Sequence, residues 1–123
     1  MVKKELAEAK RDLDPAKNSL LESDFKWAVV KAYYSLFHAC KSLLFCAGYV
    51  EKSHECLIAA IEELFVDRDV LPSTVVSDLW RAKTAWEAAD YGLTYGKASA
   101  NGSVRDAEQI FDIVSGYLTG EGF

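Results

Sequence analysis

One predicted helix of this 123-residue chain carries side chains suited to acid–base or anion-binding chemistry. At 100° per residue, Lys31, Tyr34 and His38 share one face of the segment from Phe25 to Gly48, and Lys41 lies only slightly farther round. Histidine is the side chain whose pKa is most readily tuned near neutral pH, and ammonium groups hold anions. The face is therefore predicted to be either an anion site or a solvated edge lined with lysines.

The charge distribution supports a locally basic helix in an acidic protein. The chain has 14 Lys and Arg against 19 Asp and Glu, a formal net charge of −5. No Asp or Glu occurs between Phe25 and Val50, whereas this segment contains Lys26, Lys31 and Lys41. The net charge argues against a protein that coats nucleic acid through a cationic field.

Large aromatic side chains lie on the same face as His38. They are Trp27, Tyr34 and Phe45. Because water is a poor environment for three such side chains, we expect another helix or a second copy of the protein to cover them, and a homodimer contact is favoured. A histidine on such a face is also compatible with a structural residue satisfied by one hydrogen bond.

The whole chain has the pattern of an all-helical protein. Apolar residues recur with a period of 3.6 in nearly every segment, and no alternating run indicates a strand. With short connections between long helices, we predict an up-and-down bundle of four to five antiparallel helices, forming a single domain over residues 1–123. The first helix keeps its phase across Pro15 with a kink, or else breaks there with Asp14 as a new N-cap.

The remaining boundaries follow from capping signals. Asp24 is predicted to cap the second helix, which Gly48 ends, and Ser53 to open the third. The fourth is predicted to start with Pro72 in its first turn and to run to about Thr94.

The segment YGKASANGS is predicted to be a loop between the last two helices. It is polar and rich in Gly and Ser. Ser103 and Asp106 resemble a capping box, which would begin the last helix.

Several classes of protein find no support in the sequence. The charged first residues lack the apolar core of a secretory signal, and no window provides the ~18 apolar residues of a membrane span, so a cytoplasmic protein is expected. Cys40, Cys46 and Cys56 lie in apolar helical segments without a metal-ligand pattern and are predicted to be reduced core residues. We predict no metal and no cofactor.

Three short motifs carry a resemblance to a known family. The run KAYYSLFHACKSLLFCAGYVEKSHECL contains A-Y-Y-x-x-F-H-A in residues 32–39 and K-x-H in residues 52–54, and A-D-Y follows in residues 89–91. In this order and over nearly the whole chain, they resemble the HEPN domains of the small stand-alone prokaryotic group.

The resemblance implies a dimeric helical bundle that acts beside a small nucleotidyltransferase in a toxin–antitoxin-like pair, or that binds a nucleotide or RNA. The residues expected to contact such a ligand are Lys31, Tyr34, His38, Lys41, Lys52, His54 and Asp90. His54 also suits a structural role at the start of the third helix. Asp90 is expected to be buried and hydrogen-bonded, either to Lys83 or across to the second helix.

Some relatives are metal-independent ribonucleases built on an Arg and a His separated by four to six residues. Here the pattern would fall on Lys31, with six residues between it and His38, so that His38 would be the base, Lys31 the phosphate clamp and Tyr34 an orienting donor. Lysine lacks the two-pronged grip of arginine, and Trp86 replaces a second arginine that is frequent in relatives. The leading hypothesis is therefore a non-catalytic binding module, with a weak ribonuclease as the alternative.

Overall fold

The computed structural model describes residues 1–50, 53–91 and 96–123, and all regular structure in those ranges is helical. The helices pack into one bundle, which confirms the predicted all-α fold. In chain order they are α1 (Val2–Leu21), α2 (Phe25–Cys46), α3 (His54–Ile61), α4 (Thr74–Asp90) and α5 (Lys97–Gly120). A π-helical turn, Glu62–Val66, extends α3.

Helix α2 lies at the centre of the bundle and contacts the other four helices. Its buried apolar side chains include Val29, Leu36 and Leu43, and burial of each contributes about 1.5–3 kcal/mol. Even Ser35 is fully buried, because its hydroxyl donates a hydrogen bond of 2.8 Å to the carbonyl of Ala9 in the antiparallel helix α1. The centre of the fold is therefore the α1–α2 pair with the later helices packed on α2.

Helix α1 continues through Pro15, so the alternative of a break with Asp14 as a new cap is wrong. Proline removes one backbone donor, which weakens a helix without separating its two halves. Ala9, Leu13 and Ala16 are buried on both sides of the proline and hold the helix in one register against the bundle.

The predicted starts of α2 and α3 are confirmed. Asp24 immediately precedes α2, although its side chain makes no capping bond. The Ser53 hydroxyl accepts a hydrogen bond of 3.1 Å from the amide of Cys56. Two residues after α2 ends, Gly48 has a φ of +80°, a left-handed conformation that glycine adopts without a steric penalty.

Helix α4 begins two residues later than expected, at Thr74 after Ser73, so Pro72 lies outside it. It ends at Asp90; Thr94, the expected end, lies outside the described residues.

The predicted start of the last helix is wrong. Helix α5 already begins at Lys97, so most of the segment expected to be a loop is helical. Ala100 is fully buried, and Ser103 and Asp106 are buried in the middle of the helix instead of capping it. Packing of α5 against the rest of the bundle overrides the local polarity of this segment.

None of the described helices is both long enough and apolar enough to cross a membrane.

Candidate functional site

Aromatic rings from three helices meet where α3 begins. His54, the first residue of α3, stacks on Phe37 and Tyr33 of α2, with ring centroids 4.6 and 5.4 Å away. Trp86 of α4 stacks on Tyr33 at 4.7 Å and on His54 at 5.3 Å. We call Tyr33, Phe37, His54 and Trp86 the aromatic cluster. Tyr33 and Phe37 belong to the A-Y-Y-x-x-F-H-A motif and His54 to the K-x-H motif. Trp86 lies on α4, the helix that carries the A-D-Y motif.

A hydrogen bond between the Tyr33 hydroxyl and His54 Nδ1 lies inside the aromatic cluster. Burial raises the pKa of Tyr33, so its hydroxyl stays protonated. Burial lowers the pKa of His54, with Lys83 adding to the effect and the nearby Glu55 and Glu87 opposing it. The imidazole is therefore largely neutral at pH 7, and its tautomer sets whether the Tyr33 hydroxyl donates to Nδ1 or accepts from it.

Charged side chains surround the aromatic cluster. The Lys83 ammonium lies 3.2 Å from Glu55 and donates a hydrogen bond to Glu87. The indole nitrogen of Trp86 is buried without a hydrogen-bond partner in the described residues. The cluster thus links α2, α3 and α4 mainly by stacking, with charges at its margin.

His38 lies elsewhere, at the interface of α1 and α2. Its Nδ1 donates a hydrogen bond of 2.6 Å to Glu5 Oε2, and its Nε2 lies 3.8 Å from Asp12 Oδ2. Lys41 lies 3.5 Å from the other oxygen of Glu5. Burial raises the pKa of Asp12, while His38 opposes that shift. We call Glu5, Asp12, His38 and Lys41 the charged cluster.

The charged cluster has no net positive charge. Two carboxylates balance Lys41 and the imidazole, so the cluster is neutral when His38 is protonated and carries about one negative charge when it is not. The side chains of α2 that were expected to bind an anion therefore contact acidic residues of α1. The composition of α2 alone does not predict these contacts.

Lys31 does not converge with His38. The Lys31 ammonium donates a hydrogen bond of 3.0 Å to the Ser19 hydroxyl, whereas His38 contacts Glu5. Ser19 and Glu5 are 14 positions apart on one helix, which corresponds to about 21 Å. The base and clamp expected for a ribonuclease are thus directed to different parts of α1.

The aromatic residues predicted to form a dimer interface differ in exposure. Trp27 is 50% exposed and Tyr34 is 40% exposed, while Phe45 is half-buried beside Met1 and Val2 at the start of α1. We call Trp27 and Tyr34, two turns apart on α2, the aromatic stripe.

Three further predictions concern single residues. Asp90 is exposed at the end of α4 and makes no hydrogen bond among the described residues, so the expectation of a buried, paired carboxylate is wrong. Lys83 is paired with glutamates instead. Cys56 is exposed, contrary to its expected place in the core, and Lys52 lies outside the described residues.

The sequence did not single out Tyr33, Glu5 or Asp12 as site residues. The hydrogen-bond partner of Tyr33, His54, is 21 positions away in the chain. No local signal points to Glu5 or Asp12, because α1 carries five Lys and Arg against four Asp and Glu. In residues 1–50, 53–91 and 96–123, no three His, Cys, Asp or Glu side chains could hold a metal ion.

The arrangement of helices is also found in a solved structure. The protein TT1696 from Thermus thermophilus superposes with a TM-score of 0.78 over 94% of this chain and 97% of its own, at 22% sequence identity. At that identity the likeness concerns the fold alone. No curated protein matches the chain.

A family model matches nearly the full length, as the three motifs indicated. Residues 2–117 match the HEPN domain, a range that includes the aromatic cluster, the charged cluster and the aromatic stripe. The chain therefore belongs to the HEPN domain family.

Proposed function

We propose that this protein is a non-catalytic interaction module that forms a homodimer and partners a small nucleotidyltransferase in a toxin–antitoxin-like pair. The observation that carries the proposal is the aromatic stripe, because Trp27 and Tyr34 leave half and two-fifths of their surfaces exposed on one face of α2. Such side chains are enriched at the centres of protein interfaces. The class of partner comes from the family resemblance.

The state of the charged side chains favours binding over catalysis. His38 is held between carboxylates and Lys31 is bonded to Ser19, so neither is positioned for an RNA phosphate. The ribonuclease alternative would require both side chains to leave these contacts. Binding of a nucleotide or RNA at Lys31, Tyr34, His38 and Lys41 stays a prediction, weakened by the two carboxylates.

The dimer is tested by measuring the molar mass of the purified protein by light scattering during gel filtration. We expect twice the mass of one chain, and Trp27→Ser with Tyr34→Ala should yield monomers. Tyr49→Ala is the matched control, because Tyr49 is 47% exposed just beyond the other end of α2. A wild-type protein that is monomeric at high micromolar concentration would remove the homodimer from the proposal.

The partner is tested by co-expressing the tagged chain with the nucleotidyltransferase encoded beside its gene. We expect the two proteins to co-elute and the complex to melt at a higher temperature than either protein alone. The absence of any complex would contradict the proposed partnership whatever the result for the dimer.

A further inference from the structure

A groove separates α4 from the first turn of α5, and it shares no lining residue with the aromatic cluster or the aromatic stripe. Its volume is about 790 Å³, within the range of roughly 300–1,000 Å³ typical of small-molecule sites. Its walls include the methyl groups of Ala85, Ala88 and Ala98 and the indole of Trp80, which is 43% exposed. These surfaces suit a flat, apolar ring.

Arg81 gives this apolar groove a fixed cationic group. Its Nε and Nη2 each donate a hydrogen bond of 2.9 Å to the buried Asp106, and Nη2 also donates to Asp78 at 2.5 Å. The remaining nitrogen, Nη1, has no acceptor among the described residues. Because three hydrogen bonds hold the planar guanidinium, the N–H groups of Nη1 are left in a restricted orientation for an oxyanion.

The opposite wall adds a second cation. Lys97 is exposed at the start of α5, where the helix follows Gly96 without a side-chain cap. The carboxylates of Asp78 and Asp106 balance the two cations in number. Attraction for an anion therefore comes from Lys97 and from the Nη1 donors of Arg81, and the groove suits one negative charge better than a polyphosphate.

We propose that the groove between α4 and α5 binds a small planar aromatic acid, with its ring against Trp80 and the alanines and its oxyanion between Arg81 and Lys97. The acid group is a carboxylate or a single phosphate. This site is independent of the proposed interaction module, since none of its lining residues belongs to the aromatic stripe.

The experiment is a titration of ¹⁵N-labelled protein with four compounds, followed by amide NMR spectra. The compounds are 2-naphthoate, its neutral amide 2-naphthamide, 2-naphthyl phosphate and acetate. We expect saturable shifts in Ala88 and Lys97 with naphthoate or naphthyl phosphate, whichever acid group is preferred, at least about fivefold weaker binding of the amide, and no saturation with acetate. Equal affinity for naphthoate and its amide, shifts confined to other helices, or no saturable binding would each overturn the proposal.

Two variants test the groove by different means. Ala88→Phe fills it and should abolish binding, while Lys97→Glu reverses a charge and should weaken binding of the preferred acid by about fivefold. Lys4→Glu, which makes the same charge change at an exposed position of α1, should weaken binding by less than about twofold. If Ala88→Phe does not fold, Lys97→Glu and its control still decide, and equal effects of the two lysine variants would contradict the site.

Discussion

His38 Nδ1 lies 2.6 Å from Glu5 Oε2, so the only histidine of α2 is joined to α1 at a position 33 residues earlier in the chain. The Glu5 side chain is only 9% exposed and is shared with Lys41. A buried carboxylate of this kind contributes to stability through its partners.

Replacement of Glu5 tests that contribution. Glu5→Ala should lower the free energy of unfolding by about 2 kcal/mol, because His38 and Lys41 both lose their acceptor in a partly buried setting. Glu8→Ala is the control, since Glu8 pairs with the exposed Arg11 and should cost less than about 0.5 kcal/mol. Urea unfolding measures both, and similar losses would show that the charged cluster adds no more than a surface ion pair.

Two tyrosines, one bonded and one exposed, provide a matched test of the hydrogen bond inside the aromatic cluster. Tyr33→Phe should destabilise the protein by about 1 kcal/mol, because it removes the hydroxyl that is hydrogen-bonded to His54 Nδ1 and leaves the rings in place. Tyr49→Phe removes an exposed hydroxyl outside the aromatic stripe, without a protein partner among the described residues, and should change stability by less than about 0.5 kcal/mol. Calorimetry compares the two, and an equal effect would mean that the Tyr33–His54 bond contributes nothing.

Stability should depend on pH through His54. Burial lowers the pKa of His54 in the folded protein below its ordinary value of 6.5, so the unfolded chain takes up a proton first as the pH falls. The contribution of the neutral His54 ring to stability is complete above pH 6.5. It is lost as the pH drops through the pKa of His54 in the folded state. Between about pH 7.5 and about pH 5.5, the wild type should lose more unfolding free energy than His54→Phe. Parallel losses in the two proteins would rule out His54 as the source.

The Arg81–Asp106 pair should be critical for the fold. Asp106 is 1% exposed, so Arg81→Ala leaves a buried carboxylate without its main partner and should cost about 3 kcal/mol. Arg105→Ala, at an exposed neighbouring position of α5, should cost less than about 0.5 kcal/mol. The double variant Arg81→Met with Asp106→Leu should recover part of the lost stability. If Arg81→Ala costs no stability and the double variant gains none, the pair is dispensable.

Catalysis by His38 is the last point to test. RNA incubated with the protein in the presence of EDTA should show no cleavage that depends on His38, because the ring is engaged by Glu5 and the Lys31 ammonium is bonded elsewhere. Wild type and His38→Ala should therefore behave alike. Cleavage by the wild type that is lost in His38→Ala would favour the ribonuclease alternative over the interaction module.

The sequence by itself determined the helical class, the starts of α2 and α3 and the family. These features are local, because the 3.6-residue period and a capping serine act within a few residues of the chain. The three motifs were likewise readable without coordinates, and the match over residues 2–117 confirms the family they indicated.

Tertiary structure decided which side chains meet. The polarity of residues 97–103 predicts a loop, yet burial of Ala100 and the bond from Arg81 to Asp106 make the segment helical. The contacts of His38 with Glu5 and of Tyr33 with His54 join positions 33 and 21 residues apart, and no local pattern specifies such pairs. They arise because burying the apolar faces of α1, α3 and α4 on α2 fixes how the helices are rotated, and that rotation sets the partner of each polar group.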